Sequence, residues 1–184
     1  MRLVICLLWA VVCSHFAVAG PVAQPVKPTL RQQLATTYTS QVGVKEATGK
    51  NDGVEVGKYL ATVGLGQGYH WCAAFVKWTF AQHRVATAGT NGRADTWFPR
   101  VRRIYQRQSG YVATPQQADL FGLYYTNLGR IAHVGFIDRW DPGRGQAVTV
   151  EGNTNDGGSR NGDGVYRKRR LIRQIYAVSR WVPA

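Results

Sequence analysis

The sequence is short of cysteine. Its 184 residues contain three, and two of them, Cys6 and Cys13, lie in the apolar run that begins the chain. If that run is removed during export, Cys72 is the one cysteine left and no intramolecular disulfide can form. A lone thiol in an exported protein indicates a reactive or intermolecularly paired cysteine rather than a disulfide framework.

Long apolar runs are absent after the first residues. Arg2, the apolar residues 3–13 and the small-residue site at residues 17–19 follow one another in the order of a secretory signal peptide. We therefore expect a signal peptide at residues 1–19 and export to the periplasm or the outside of the cell; a buried N-terminal strand or helix is the alternative. No later segment is apolar enough to cross a bilayer, so we expect no transmembrane segment in the mature chain.

Removal of 19 of the 184 residues leaves 165, which is the length of one domain. Residues 20–29 contain three prolines and no periodicity, and they are typical of a linker. We therefore expect a single domain over residues 30–184.

Acidic residues are scarce, since 23 lysines and arginines face 10 aspartates and glutamates for a net charge of +13. This excess favours anionic partners such as nucleic acid, lipid head groups or the anionic polymers of a cell envelope. Export disfavours nucleic acid and leaves the envelope polymers. The most basic stretch is residues 167–170, with Arg173 and Arg180 nearby. Such a run is more commonly a solvated strand edge that deters aggregation.

The hydrophobic pattern changes its period along the chain. Apolar residues recur at helical spacing in three segments, residues 30–44, 54–63 and 71–83. Residues 84–118 are polar and irregular. Alternation then predicts five strands, residues 119–125, 132–140, 147–153, 164–169 and 175–181. Helices followed by strands joined through tight turns predict an α+β domain with an antiparallel sheet.

Cys72 stands where the third predicted helix begins, after a glycine-rich approach at residues 64–68. A free thiol has a pKa near 8.5, and the unpaired N–H groups of a helix N-terminus lower it. The same N–H groups can receive the oxyanion of an acyl intermediate. Buried cysteines usually serve packing, but export and the strands described next favour a nucleophile.

Two predicted strands offer the partners that a thiol nucleophile needs. Alternation places Val134 and Phe136 on one face of their strand and His133 on the other, next to a glycine. In the following strand Glu151 and Asn153 lie on one face, so either can accept the imidazole N–H and fix its tautomer. Asn153 can instead begin the turn that follows it.

Three blocks in this order, WCAAFV (residues 71–76), AHVGFI (132–137) and VEGNT (150–154), resemble the CHAP family of cysteine- and histidine-dependent amidohydrolases/peptidases. The resemblance implies a papain-like fold in which the nucleophile's helix packs on an antiparallel sheet. It also implies hydrolysis of peptidoglycan amide bonds, by an amidase or an endopeptidase. By this resemblance Cys72 is the nucleophile, His133 the general base and acid, Glu151 the orienting group and Asn153 a fourth polar member.

The sequence departs from this family in two places. Some relatives bind calcium through an acidic loop before the cysteine, but residues 64–71 contain no carboxylate. Zinc is also disfavoured because there is no Cys-x-x-Cys motif, so we expect no metal and no cofactor. The family often has a polar residue where Trp71 stands. Gln67 or Tyr69 is then a candidate oxyanion donor, and both, with Trp71, are candidate substrate-binding residues.

Two other functions remain open. The related NlpC/P60 peptidases share the architecture and cleave stem peptides, but their third residue is usually a histidine, where this chain offers Glu151 or Asn153. A non-catalytic domain whose basic surface binds envelope polymer or nucleic acid is the second alternative. An intact nucleophile, base and orienting group argue against that alternative.

Overall fold

Three α-helices lie in the first part of the chain described by the computed structural model, which covers residues 27–157 and 162–183. They are α1 (Leu30–Ser40), α2 (Val54–Ala61) and α3 (Cys72–Gln82). Thr29 begins α1 with a capping box, in which its hydroxyl accepts from the N–H of Gln32 and the Gln32 amide oxygen accepts from the N–H of Thr29. The predicted signal peptide and most of the predicted linker lie outside the described residues.

The helices are shorter than the pattern predicts. Leu34 and Tyr38, which follow the helical spacing of apolar residues, are buried on α1, but the helix ends at Ser40, and Val42, the next residue at that spacing, is 41% exposed. The predicted continuation of α1 to residue 44 is therefore wrong. Helix α2 ends two residues before its predicted end, and α3 begins at Cys72 itself.

Seven strands form one antiparallel sheet in the order β2-β1-β7-β3-β4-β5-β6. The strands are β1 (Arg103–Gln106), β2 (Gly110–Tyr111), β3 (Leu120–Tyr125), β4 (Arg130–Asp141), β5 (Gln146–Thr154), β6 (Gly164–Leu171) and β7 (Ala177–Ser179). All five predicted strands are present, and the α+β, papain-like arrangement of helices on an antiparallel sheet is confirmed. Strands β1 and β2 lie in the segment that was predicted to be irregular, because both are short and β1 is flanked by arginines.

Phe136 of β4 is the point where the helices meet the sheet. Its ring stacks on Tyr38 of α1 at 4.7 Å and meets the edges of Phe75 and Phe80 of α3 at 6.1 and 5.5 Å. Gly152 of β5 lets α3 approach closely, since a Cβ atom there would lie 2.8 Å from the Cβ of Phe75. These contacts fix the start of α3 against β4 and β5.

The face of the sheet away from the helices is also partly covered. Ile137 and Ala147 belong there to a second apolar cluster, together with Phe121 and Leu123 of β3 and Val178 of β7. This cluster helps to bury the polar side chains on that face of β4 and β5, among them His133, Thr149 and Glu151. Within residues 27–157 and 162–183, no helix is both long enough and apolar enough to cross a membrane.

Candidate active site

Cys72 is the first residue of α3 and its thiol is free. The residue is 6% exposed and lies on the wall of a cavity, so its sulfur is neither sealed in the core nor fully solvated. The N-terminal N–H groups of α3 surround this position without a side-chain cap. Such a position stabilises a thiolate through the helix dipole.

His133 lies between the cysteine and a carboxylate. Its Nε2 is 2.9 Å from Oε2 of Glu151, and the thiol of Cys72 bonds the same imidazole. Because Nε2 faces Glu151, Nδ1 is the nitrogen left for the thiol. The structure thus brings together the three residues predicted as nucleophile, base and orienting group.

The register of β4 and β5 explains how Glu151 reaches the histidine. Phe136 pairs with Val150, which places Glu151 beside Gly135. A Cβ atom at Gly135 would lie 3.1 Å from Cγ of Glu151 and 2.9 Å from the carbonyl oxygen of Val150. The glycine therefore leaves the space through which the carboxylate reaches His133, two residues along the strand.

Arg170 of β6 is a member of this site that the sequence analysis missed. Its Nε and Nη2 donate to the two carboxylate oxygens of Glu151 at 2.6 and 2.5 Å, and Thr149 donates to Oε1 at 2.5 Å. The run at residues 167–170 was interpreted only as a basic surface. In the structure Arg167 and Arg169 are exposed whereas Arg170 is half-buried, and four successive basic residues carry no pattern that distinguishes Arg170 from the others.

Hydrogen bonds and charge shift the pKa values of all three central groups. Burial raises the pKa of the Cys72 thiol, but the hydrogen bond and the charge of His133 outweigh burial and hold it below its ordinary 9.0. Burial lowers the pKa of His133, but hydrogen bonds to Cys72 and Glu151 reverse this and raise it to about 9. Burial opposes the charge of Glu151, yet His133 and Arg170 hold its pKa at about 2. These directions favour a thiolate–imidazolium pair next to an ionised carboxylate.

A cavity of about 470 Å³ opens beside Cys72 and His133. Val63 and Leu65 form an apolar part of its wall, and Asn153 lies on the wall as well. A cavity of this size next to a nucleophile can hold several residues of an extended substrate.

Asn153 is in the cavity wall but does not bond His133. Its amide oxygen lies 3.2 Å from Nδ1 of His70, and its amide nitrogen donates to Asn51 at 2.9 Å and to Glu46 at 3.3 Å. It is buried, and its φ of 53° lies in the left-handed region. Asn153 therefore ties the segment that contains Glu46 and Asn51 to the end of β5, while Glu151 bonds the imidazole of His133.

The three candidate substrate-binding residues, Gln67, Tyr69 and Trp71, lie in different surroundings in the structure. Tyr69 is 57% exposed and lines the cavity. Gln67 turns toward α2, where its amide oxygen accepts from the N–H of Gly53 at 3.3 Å. Trp71 is fully buried and its indole N–H donates to Glu46 at 2.9 Å, which corrects the expectation that it contacts substrate. Trp71 is a core residue that holds the start of α3.

The two described histidines other than His133 bond side chains outside the Cys72–His133 pair. His83 bonds Thr37 at 2.7 Å at the far end of α3, and His70 bonds Asn153. Among residues 27–157 and 162–183, no three histidine, cysteine, aspartate or glutamate side chains are grouped so that they could hold a metal ion.

Comparison with protein families finds a match over about half of the chain. The family model described as the CHAP domain matches residues 64–153, which include Cys72, His133 and Glu151. No curated protein matches the sequence.

Solved structures that are similar to this chain include an NlpC/P60 family protein from Bacillus cereus ATCC 10987. It is 12% identical, with a TM-score of 0.46, over 84% of this chain and 41% of that protein. Ly7917 is 16% identical, with a TM-score of 0.41, over 82% of this chain and 62% of that one. A structure of Ly7917 with the hydrolyzing product of MDP gives 15% identity and a TM-score of 0.40, over 83% and 63%. The chain thus spans about two fifths to two thirds of the lengths of these proteins.

Proposed function

We propose that this chain, which carries a CHAP domain over residues 64–153, is an exported cysteine hydrolase that cleaves amide bonds of bacterial peptidoglycan. The observation that carries the proposal is the bonded series Cys72–His133–Glu151 at the wall of a cavity. A nucleophile, a base on one side of it and a group that orients the base are what acyl transfer through a thiol requires.

The reaction begins with attack of the Cys72 sulfur on the amide carbonyl carbon. Unpaired N–H groups at the start of α3 are available to bind the oxyanion that develops. The C–N bond then breaks, and the His133 imidazolium gives its proton to the departing amine. A water molecule that loses its proton to His133 next attacks the thioester carbonyl, which releases the carboxylic acid and restores the thiol.

Glu151 acts through His133. Its carboxylate accepts from Nε2, keeps Nδ1 directed at the thiol and stabilises the imidazolium that forms. Because the pKa of Glu151 is held at about 2, the carboxylate stays charged over the whole working range of pH.

Peptidoglycan as the substrate follows from the CHAP family, and the excess of basic residues suits an anionic wall. A purely binding function would depend on the exposed basic residues at 167–170. Arg170 is not available for such binding, because its guanidinium is bonded to Glu151. Both an amidase and an endopeptidase are compatible with the site, and the fragments released distinguish them.

The test uses purified peptidoglycan and the protein without residues 1–19. The wild type is expected to release fragments whose masses identify the cleaved bond, and Cys72→Ala and His133→Asn are expected to release none. His83→Asn is the matched control, since this histidine bonds Thr37 at the far end of α3. Fragment release by Cys72→Ala at the wild-type rate would refute the proposal. Export is tested separately by expressing the full chain in a bacterium and determining whether the mature protein begins at Gly20.

A further inference from the structure

The cavity beside Cys72 is electropositive. Of the described residues that line it, two are arginines, Arg93 and Arg130, and two are histidines, and none is a carboxylate. A wall that presents cationic side chains and no carboxylate to the cavity attracts anionic parts of a ligand, the more so where the wall is partly desolvated.

The two arginines differ in what they bind. Arg93 is exposed and its guanidinium donates to both oxygens of Asp95, at 3.1 and 2.6 Å. Arg130 is half-buried, and within the described chain its hydrogen bonding is to the carbonyl of the adjacent Ile131, at 3.3 Å. No ion pair of Arg130 is found among residues 27–157 and 162–183.

Asp95 acts on Arg130 through its charge alone, whereas it is hydrogen-bonded to Arg93. The pKa of Asp95 is lowered first by its hydrogen bonds from Arg93 and only further by the charges of Arg93 and Arg130. At this end of the cavity two guanidinium groups therefore share the charge of one carboxylate, Asp95. Among the described residues, Arg130 has no carboxylate bonded to it, so a positive charge is left for a ligand.

The position of Arg130 relates its charge to the reacting bond. It lies three residues before His133 on β4, and a strand rises about 3.4 Å per residue, so about 10 Å separates their Cα atoms. An extended peptide covers that distance in about three residues. A group bound at Arg130 therefore lies two or three residues from an amide that is held at Cys72.

We infer that Arg130 forms an anionic subsite of this cavity, which binds a carboxylate of the peptide substrate two or three residues from the scissile amide. The inference rests on the proposed function and adds a specificity-determining residue to it. The planar guanidinium fork suits a carboxylate, because it can donate two parallel hydrogen bonds.

The experiment uses soluble peptide fragments of peptidoglycan in two forms, untreated and with their carboxylates converted to carboxamides by carbodiimide and ammonia. Hydrolysis is measured with the wild type, Arg130→Gln, Arg130→Lys and the control Arg169→Gln, which changes an exposed arginine of β6. Binding of both forms is measured by calorimetry with Cys72→Ala, alone and combined with Arg130→Gln. Circular dichroism checks that each variant is folded.

The wild type is expected to hydrolyse the untreated fragments with a kcat/KM at least tenfold above that for the amidated fragments. Arg130→Gln brings this ratio close to one, mainly through KM on the untreated fragments, and Arg130→Lys keeps part of it because the charge remains. Arg169→Gln keeps all of it. The preference weakens as salt is added.

The inference would be overturned if the wild type hydrolysed the two forms equally and Cys72→Ala bound them equally. It would also be overturned if Arg130→Gln kept the wild-type ratio of kcat/KM between untreated and amidated fragments. Absence of hydrolysis in the wild type contradicts the proposed function instead. In that case the calorimetry still decides the subsite, because Cys72→Ala either prefers the untreated fragments in an Arg130-dependent way or does not.

Discussion

Replacement of Arg170 by glutamine tests whether the carboxylate of the site is held by a buried ion pair. Arg170 donates two charge-assisted hydrogen bonds to Glu151, and the side chains are 16% and 0% exposed respectively. Glutamine keeps a polar side chain but removes the positive charge and the fork. Glu151 is then left as a buried charge with fewer partners.

Two estimates set the scale of the cost. Removal of one partner of a buried ion pair costs about 3–5 kcal/mol, and the lower end applies because His133 and Thr149 still bond Glu151. The pKa of Glu151, about 2 against an ordinary 4.5, corresponds to roughly 3 kcal/mol, which His133 and Arg170 share. A loss of about 3 kcal/mol lowers the melting temperature of a domain of this size by about 6–12 °C.

The effect has a defined dependence on pH. A carboxylate whose folded-state pKa is depressed contributes stability above its unfolded pKa and loses it as the pH falls through the folded pKa. The contribution of Glu151 is therefore complete above about pH 4.5 and lost toward pH 2. The gap in melting temperature between wild type and Arg170→Gln should be widest above pH 4.5 and close on acidification.

Thermal unfolding is followed by circular dichroism at several pH values between about 2.5 and 7. This series measures both the loss of melting temperature and its dependence on pH. Arg169→Gln is the control, because an exposed substitution on the same strand changes stability by only about 0.5 kcal/mol. The double variant Arg170→Gln with Glu151→Gln should recover part of the loss, since no uncompensated charge remains. A melting temperature of Arg170→Gln equal to that of Arg169→Gln at neutral pH would refute the reasoning.

Three further predictions concern the thiol, the imidazole and the packing of α3. Alkylation of Cys72 by iodoacetamide should rise with pH around a midpoint below 9.0, and His133→Asn should move that midpoint upward because the imidazolium no longer stabilises the thiolate. The rate of amide hydrolysis should fall as the pH rises through about 9, since His133 then loses the proton that it gives to the departing amine. Gly152→Ala should lower the free energy of unfolding by about 1–3 kcal/mol, because the new Cβ would lie 2.7 Å from a ring carbon of Trp71. The control is Gly66→Ala, whose new Cβ meets no atom within 4 Å and which should be near neutral. Chemical denaturation of the two variants measures the difference.

The strands could be predicted because their burial alternates with a period of two. In β4 and β5 the apolar face packs on the helices, so Val134, Phe136 and Val150 reveal the strands and their orientation together. Strand β1 escaped the same reasoning because it has four residues beside a run of arginines. The end of α1 escaped it because Val42 continues the helical spacing of apolar residues although the α-helix ends at Ser40.

The order of the central residues could also be predicted, since Cys72 begins a predicted helix and His133 and Glu151 lie on the faces of two predicted strands that turn away from Val134, Phe136 and Val150. What the sequence could not supply is the contact between distant strands. The pairing of β5 with β6 places Arg170 opposite Ala147, which lies four residues before Glu151 on the same face of β5, and the long arginine side chain reaches the carboxylate from there. A run of four basic residues gives no indication of which one points inward until that register is known.

The four groups Arg170, Glu151, His133 and Cys72 form a series in which favoured charges alternate in sign from the sheet edge to the nucleophile. Each charge lowers the free energy of the next one, so the guanidinium supports the thiolate through two intervening groups. The segment that matches the CHAP family ends at residue 153, before β6 begins, so the outermost member of the series is contributed by a part of this chain beyond the match. For this reason a variant of Arg170 separates two properties: the positions of Cys72 and His133 are fixed by α3 and β4, whereas the charge on them depends on β6.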